Sequence, residues 1–333
     1  MYKHQKCVEH MLKNDSLLLY HGTGTGKSMT FIEIANALKR TTILFTSMNL
    51  QDNIKKYIIK FGKVPIYNIN YDSIHLWKKY KKLIKKIGTL DGTLVAIDEA
   101  HNFFQKSNKI IEILIKNKTI KLLLMTATPI TSDHGELELM FSAMAHDVID
   151  EITPGISKSY VSYYEANGKN FPKIIGPKII EETMCDISNH PDNYLMNNLD
   201  LVCPMLNKLI HILKPVKTYI YSKTPKIIKH IFDLQGIKYF TQIDDFNKSS
   251  NGIFISDVGI GLSFIGVNEV HILADVTVPG YQQIIGRAAR MYSHKYSKDK
   301  TVTIYLWSTN WHKRIKEYEP IEKKLNILRD NHI

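Results

Sequence analysis

The sequence predicts an α/β fold built from two consecutive strand–helix series, each closing on a parallel sheet. Three observations predict it. Short continuous apolar runs recur between helical patterns, a Gly-rich turn follows the first run, and a Pro- and Gly-rich stretch near 151–200 interrupts the series before it resumes. Continuous apolar runs, unlike alternating ones, suit parallel strands buried on both faces. Strand–helix–strand order implies right-handed crossovers. With 333 residues, 44% of them apolar, the chain can bury two modest cores.

Taken in order, strands are expected at Ser16 to Tyr20, Ile43 to Thr46, Ile66 to Asn70, Leu94 to Ile97 and Lys121 to Met125. The helix after the first strand should present Phe31, Ile34, Ala35 and Leu38 on one face. Pro154, Gly155, Gly168, Pro172, Gly176, Pro177 and Pro191 then break the periodicity, so 151–200 reads as a connector with little regular structure. The second series has helices at Cys203 to Leu213 and Pro225 to Leu234. Its strands are Thr218 to Tyr221, Gly252 to Ser256, Glu269 to Leu273 and Val302 to Trp307. The expected domains are 1–150, the connector 151–200, 201–318, and a tail 319–333.

Composition narrows the partners. The net charge of +12 favours a polyanion, although a Lys-rich chain acquires such a surplus by bias alone. Only five of the 44 basic residues are Arg: Arg40, Arg287, Arg290, Arg314 and Arg329. Two of them three residues apart suggest a task lysine cannot do, such as reading a phosphate with a planar fork. Cys7, Cys185 and Cys203 have no metal spacing and suit a reducing compartment. The N-terminus is unlike a signal peptide, and no apolar run approaches the roughly 20 residues that span a bilayer. An intracellular, soluble protein with no membrane partner is expected.

Four motifs carry chemistry. His21-Gly22-Thr23-Gly24-Thr25-Gly26-Lys27-Ser28 lies between an expected strand and helix, the context that a phosphate-binding P-loop requires. Its glycines let backbone N–H groups close on phosphates, Lys27 reaches the β- and γ-phosphates, and Ser28 ligates Mg²⁺. His21 stands where the strict pattern has Gly. Asp98-Glu99-Ala100-His101 follows an apolar strand, so Asp98 reaches Mg²⁺ and Glu99 polarises the attacking water. Two acids there could instead cap the next helix, a reading the P-loop upstream makes secondary. Thr126-Ala127-Thr128 ends another strand. Its hydroxyls could bond the Asp98 group, although a turn is the default for such a tripeptide. Gln283-Ile284-Ile285-Gly286-Arg287-Ala288-Ala289-Arg290 puts two guanidiniums on one helix face, as arginine fingers need, unless both are merely solvated.

In this order the four motifs resemble motifs I, II, III and VI of superfamily 2 helicases, whose P-loops often lack the first Gly. Gln5, in Tyr2-Lys3-His4-Gln5, resembles the glutamine that reads adenine. Ser256 to Ser263 resembles motif V in the small-residue form of Swi/Snf-type translocases, with Gly259 and Gly261 as coupling residues alongside His101, Thr126 and Thr128. Ser47 sits where motif Ia touches the sugar-phosphate backbone, and Lys217 to Ser222 looks like motif IV. The run from Val270 through Arg290, Ser293-His294 and Thr301 to Tyr305 is similar to ATPases of large cytoplasmic DNA viruses. These include the small subunit of the poxvirus early transcription factor and the poxvirus nucleoside triphosphatase I.

The resemblance implies two RecA-like P-loop NTPase lobes with parallel sheets. ATP and Mg²⁺ are the implied cofactors, with Gln5, Thr23 to Ser28, Asp98 and Glu99 from lobe one and Gln283, Arg287 and Arg290 from lobe two. It also implies a nucleic-acid-dependent ATPase acting as helicase or translocase, with DNA favoured over RNA, and viral transcription proteins as partners in the host cytoplasm or virion. The alternatives are a catalytically weak nucleic-acid-binding scaffold or transcription-complex subunit, and a P-loop small-molecule kinase, against which Gln283 to Arg290 speaks. On the surface, Ile74 to Ile87 reads as an amphipathic basic helix with Ile74, Trp77, Tyr80, Ile84 and Ile87 as its apolar stripe. Its six lysines either touch phosphates or form a solvated face, the commoner case.

Overall fold

Every described strand of the computed structural model joins one of two sheets, and all the described strand pairs are parallel. The structure describes residues 3–106, 108–130, 135–165, 170–182, 185–187, 189–257 and 262–333. They fall into two compact units, Met1–Glu165 with Glu319–Ile333, and Ala166–Tyr318. None of the described helices is long and apolar enough to cross a membrane.

The first unit holds β1 (Ser16–His21), β2 (Thr42–Thr46), β3 (Ile66–Asn70), β4 (Leu94–Asp98), β5 (Lys121–Thr126) and β6 (Val161–Tyr164). They are ordered β3-β2-β4-β5-β1-β6. Residues of β1, β2, β4 and β5 are buried without exception, which explains their unbroken apolar runs. One face of the sheet, with Leu17, Leu19, Leu44, Leu94, Leu123 and Met125, packs on Phe31, Ile34 and Ala35 of helix Lys27–Leu38. On β2, Phe45 meets Phe103 of helix Ala100–Lys106, with ring centroids 5.0 Å apart. Because all strands run one way, the carboxyl ends of β1, β2, β3, β4 and β5 share one edge of the sheet.

The second unit holds β7 (Lys173–Ile180), β8 (Lys217–Ser222), β9 (Gly252–Ser256), β10 (Glu269–Leu273) and β11 (Thr301–Trp307), ordered β7-β11-β10-β8-β9. Alternate residues feed two cores, as the period of two dictates. Tyr219, Val270, Ile272 and Ile304 pack with Ile284 and Ile285. Ile220, Ile253 and Ile255 pack with Leu206, Leu209, Ile228 and Phe232.

Three expectations need correction. The stretch 151–200 is not structure-poor. It contains helix Pro154–Tyr160, helix Asp192–Asn197, and the outer strands β6 and β7 of the two sheets. Gly176-Pro177 reads as a breaker in sequence, yet it forms a bulge where Thr303 pairs Ile175 and Tyr305 pairs Lys178. Edge strands tolerate such a bulge. A Cβ at Gly176 would lie 2.7 Å from the Ile304 carbonyl oxygen, and its φ is 111°. The expected tail 319–333 is largely the second half of helix Trp311–Asp330 and is part of the first unit. Finally, in helix Leu76–Ile87 the expected stripe holds for Trp77, Tyr80, Ile84 and Ile87, which are buried or half-buried together with Leu83, whereas Ile74 precedes the helix and is 93% exposed.

Candidate active site

The loop after β1 turns sharply through Gly24 and Gly26, with φ of 74° and 93°, a backbone that a Cβ would strain. Gly26 caps helix Lys27–Leu38, and the N–H groups of Met29 and Thr30 both donate to its carbonyl. The buried Thr25 hydroxyl donates to the Gly22 carbonyl at 2.7 Å, tying the loop across its mouth. Lys27 opens the helix, and its Nζ donates to the carbonyls of His21 and Gly22 at 2.8 and 3.3 Å. Its charge is therefore held over the loop at the helix N-terminus, where backbone dipoles also favour an anion. Ser28 follows on the first turn, while Thr23 and Gly24 lie in the turn itself.

His21 does more than replace a glycine. It is 1% exposed, and its Nε2 lies 2.9 Å from Ser162 Oγ on β6. Ser162 Oγ lies 3.3 Å from Cys7 Sγ on helix Lys3–Lys13, the helix that also carries Gln5. A buried polar relay thus joins the helix of Gln5 to the start of the P-loop through β6. Sequence reading missed Ser162 because its strand lay inside the supposed connector.

Asp98 ends β4, and its Oδ1 accepts the Glu99 N–H at 3.1 Å. Glu99 is in the left-handed region, with φ of 49°, and is 8% exposed. Such strain on a non-glycine residue collects at functional sites. Glu99 Oε2 is buried and has no hydrogen bond among the described residues, although His101 Nδ1 lies 3.7 Å away. His101 Nδ1 is 2.8 Å from Thr126 Oγ1, which also accepts the Thr128 N–H at 3.0 Å. Burial pushes the His101 imidazole below its ordinary pKa against the pull of Glu99 and Glu136, with Lys27 adding to the lowering. The Thr126 hydroxyl thus bonds His101.

Tyr71, directly after β3, is a site residue that sequence reading overlooked. Burial, then Glu99, Asp98 and Asp72, raise its phenol far above the usual range, so it stays neutral beside the motif II acids. Its position at the carboxyl end of a strand was the available signal. Asp72 accepts the Met48 N–H at 2.9 Å and pairs with Lys106 at 3.0 Å, fixing the turn that follows the buried Ser47.

In the second unit, Thr277 caps helix Val278–Ala288, which carries Gln283 and Arg287 one turn apart. Arg287 is 6% exposed. The expectation that Arg290 shares its helix face needs correction, because the helix ends at Ala288. Arg290 instead folds back, donating to the Gly286 carbonyl at 3.1 Å, Ser263 Oγ at 3.0 Å and the Leu262 carbonyl at 3.2 Å. It ties Leu262 and Ser263 to the end of helix Val278–Ala288. Gly259 and Gly261 lie outside the described residues.

The donor set suits Mg²⁺·ATP. Ser28 and Asp98 offer the hard oxygens that Mg²⁺ prefers, Lys27 and the loop amides suit phosphates, and Glu99 Oε2 is an unspent buried acceptor.

Two parallel sheets with a Gly-rich loop at one carboxyl edge define an α/β fold of two RecA-like units. Two solved structures share the fold. One, titled as apo XPD, has a TM-score of 0.52 at 12% identity and 99% coverage of both chains. The other, a fragment of a putative HsdR subunit of a type I restriction enzyme from Vibrio vulnificus YJ016, has a TM-score of 0.57 at 14% identity, covering 93% of this chain and 64% of that one. Residues 41–153 match the SNF2-related domain, a stretch that includes Asp98 to His101 and Thr126 to Thr128. The chain is 26% identical over 203 residues to the early transcription factor 70 kDa subunit of fowlpox virus, covering 49% of this chain and 31% of that protein. It is 25% identical over 160 residues to the termination factor NPH-I homolog of African swine fever virus, covering 40% and 22%. The matched region is thus about a third or less of these relatives' length. In motifs, domain match and fold alike, the chain is similar to superfamily 2 ATPases and their large-DNA-virus members.

Proposed function

We propose that this chain hydrolyses ATP to move along nucleic acid, DNA in preference to RNA. The observation that carries the reading is the buried Oε2 of Glu99, which has no hydrogen bond among the described residues, on the sheet edge where the P-loop begins. Mg²⁺, when bound, would supply positive charge that offsets that of the phosphates. Ser28 and Asp98 would hold it. The loop amides and Lys27 bind and orient the phosphates, and Gln5 reads the base. Glu99 accepts a proton from the attacking water. His101, Thr126 and Thr128 relay the state of the phosphate. Arg287, with Gln283 beside it, offsets charge on the transferred group, and Arg290 joins motif VI to the segment of Gly259 and Gly261. Ser47 contacts the backbone of the nucleic acid. The viral relatives support a place in viral transcription, in the host cytoplasm or virion.

ATP turnover measured with and without duplex DNA tests this. Turnover should rise strongly on DNA addition. Equal rates would reject a nucleic-acid motor, and absence of both turnover and ATP binding would reject the ATPase. Strand-displacement and triplex-displacement assays run side by side then separate helicase from translocase. Triplex displacement with little unwinding is expected, from the Swi/Snf-like form of motif V.

A further inference from the structure

We infer that the first unit carries a second nucleic-acid contact, a lysine groove beside β3 that grips the phosphate backbone of a duplex independently of sequence. This rests on the proposal that the chain acts on nucleic acid. The groove has a volume of about 760 Å³ and lies between β3 and helix Leu76–Ile87. Lys79, Lys82, Lys85 and Lys86 line it opposite Tyr67 and Asn68. It also reaches Gln51, the first residue of the helix that follows the Ser47 turn. The groove therefore continues from the place where motif Ia is expected to touch the backbone.

Three observations distinguish it from an ordinary solvated face. No carboxylate lines the groove among the described residues. The helix holds six lysines and no acid, and none of the six forms an ion pair among the described residues. Lys78 with Lys82, Lys81 with Lys85, and Lys82 with Lys86 are like-charge pairs four residues apart, a pattern that weakens a helix. A bound polyanion relieves that repulsion. Lastly, the positions are periodic. Lys79, Lys82 and Lys86 follow one flank over about 10 Å of helix, the rise of roughly three nucleotides along a strand.

The chemistry favours duplex backbone over splayed single strand. Lysine offers point charges without base readout. The aromatic ring lining the groove, Tyr67, has Lys86 Nζ 4.9 Å from its centroid, which blocks it as a stacking platform for bases.

The test compares two charge-matched full-length variants on a blunt DNA duplex. Lys82→Gln/Lys86→Gln removes two groove charges, whereas Lys78→Gln/Lys81→Gln removes two from outside the groove lining. The slope of log affinity against log salt should shrink by about 1.8 in the groove variant, about 0.9 for each lost contact, and remain near wild type in the other. ATP turnover without DNA should be unchanged in both. Equal slopes in the two variants, or an unchanged slope in the groove variant, would overturn the proposal. So would loss of binding to a poly-glutamate peptide with duplex binding intact, since the groove would then serve an acidic protein. If wild-type turnover ignores DNA while the slopes still differ, the motor reading fails and the groove stands.

Discussion

His101 Nδ1 and Thr126 Oγ1 lie 2.8 Å apart, joining the acidic motif at the end of β4 to the hydroxyl at the end of β5. Since Thr126 also accepts the Thr128 N–H, one hydroxyl holds both segments. Thr126→Val keeps the shape and removes the hydroxyl. It should destabilise the chain by about 1–3 kcal/mol, because buried partners are left unbonded. Turnover without DNA should persist while stimulation by DNA is largely lost. Undiminished stimulation would mean that this bond plays no part in coupling.

Lys27 and Glu99 divide the chemistry. Lys27→Ala should abolish both tight ATP binding and turnover, since the charge over the loop is gone. Glu99→Gln should bind ATP like wild type yet turn over roughly 10²–10⁴-fold more slowly, the usual contribution of a positioned base. Nucleotide binding by fluorescence and turnover by phosphate release separate the two. A Glu99→Gln protein of near-normal rate would assign water activation elsewhere.

The two arginines of motif VI should behave differently. Arg287→Lys is expected to cost nearly as much as Arg287→Ala, on the order of 10³ in kcat with KM little changed, because lysine lacks the fork. Arg290 makes three bonds to Gly286, Ser263 and Leu262. Arg290→Lys cannot span them, so it should lower DNA stimulation more than DNA-free turnover. Identical kinetic profiles for Arg287→Ala and Arg290→Ala would restore the shared role expected from their spacing.

Legibility followed chemistry and burial. Parallel strands buried on both faces announce themselves as apolar runs, so β1, β2, β4 and β5 were readable to within a residue or two, as were Pro225–Leu234 and the P-loop turn. The outer strands were not. β7 has only exposed or half-buried residues and contains Gly176-Pro177, so it offers neither an apolar run nor a clean alternation. β6 is four residues long and depends on pairing with β1, information held far away in the chain. Spacing of three predicts a shared helix face only where the helix continues. The end of the helix at Ala288 therefore undid the reading of Arg290. Tyr71 and Ser162 carry no motif, and only the sheet order brings them to the acids and to His21.

Buried histidines set an acid limit. Burial lowers the pKa of His101, His271 and His294 below the ordinary value of 6.5. Below about pH 6.5 the unfolded chain binds these protons before the folded one does, so stability falls with pH there and is unaffected above it. Each histidine contributes a slope of at most about 1.4 kcal/mol per pH unit. Denaturant unfolding between pH 5.5 and 7.5 should show the decline, and His271→Gln should flatten part of it. A wild-type curve flat across that window would refute this account.

Residues 319–333 should stabilise β1 rather than hang free. Arg329 donates to the Tyr20 hydroxyl from Nε at 3.2 Å and Nη2 at 3.1 Å, and it also pairs with Glu322. Ile333 N–H donates to the Val161 carbonyl at 2.8 Å, Ser157 Oγ to the Asn331 carbonyl at 2.6 Å, and Lys324 pairs with Glu138. Burial pushes the Tyr20 phenol up to about 12, even with Arg329 pulling it down, so the hydroxyl stays a neutral acceptor. Tyr20 immediately precedes His21 and the P-loop. Arg329→Met keeps the aliphatic bulk but removes the donors, leaving Tyr20 and Glu322 without that partner, at a cost of about 1–3 kcal/mol. Amide hydrogen exchange should then speed up in β1 and β6 while β10 and β11 keep their protection. ATP affinity should fall modestly, since the strand that launches the loop is less firmly held. Unchanged exchange in β1 would show that the first unit does not depend on this helix.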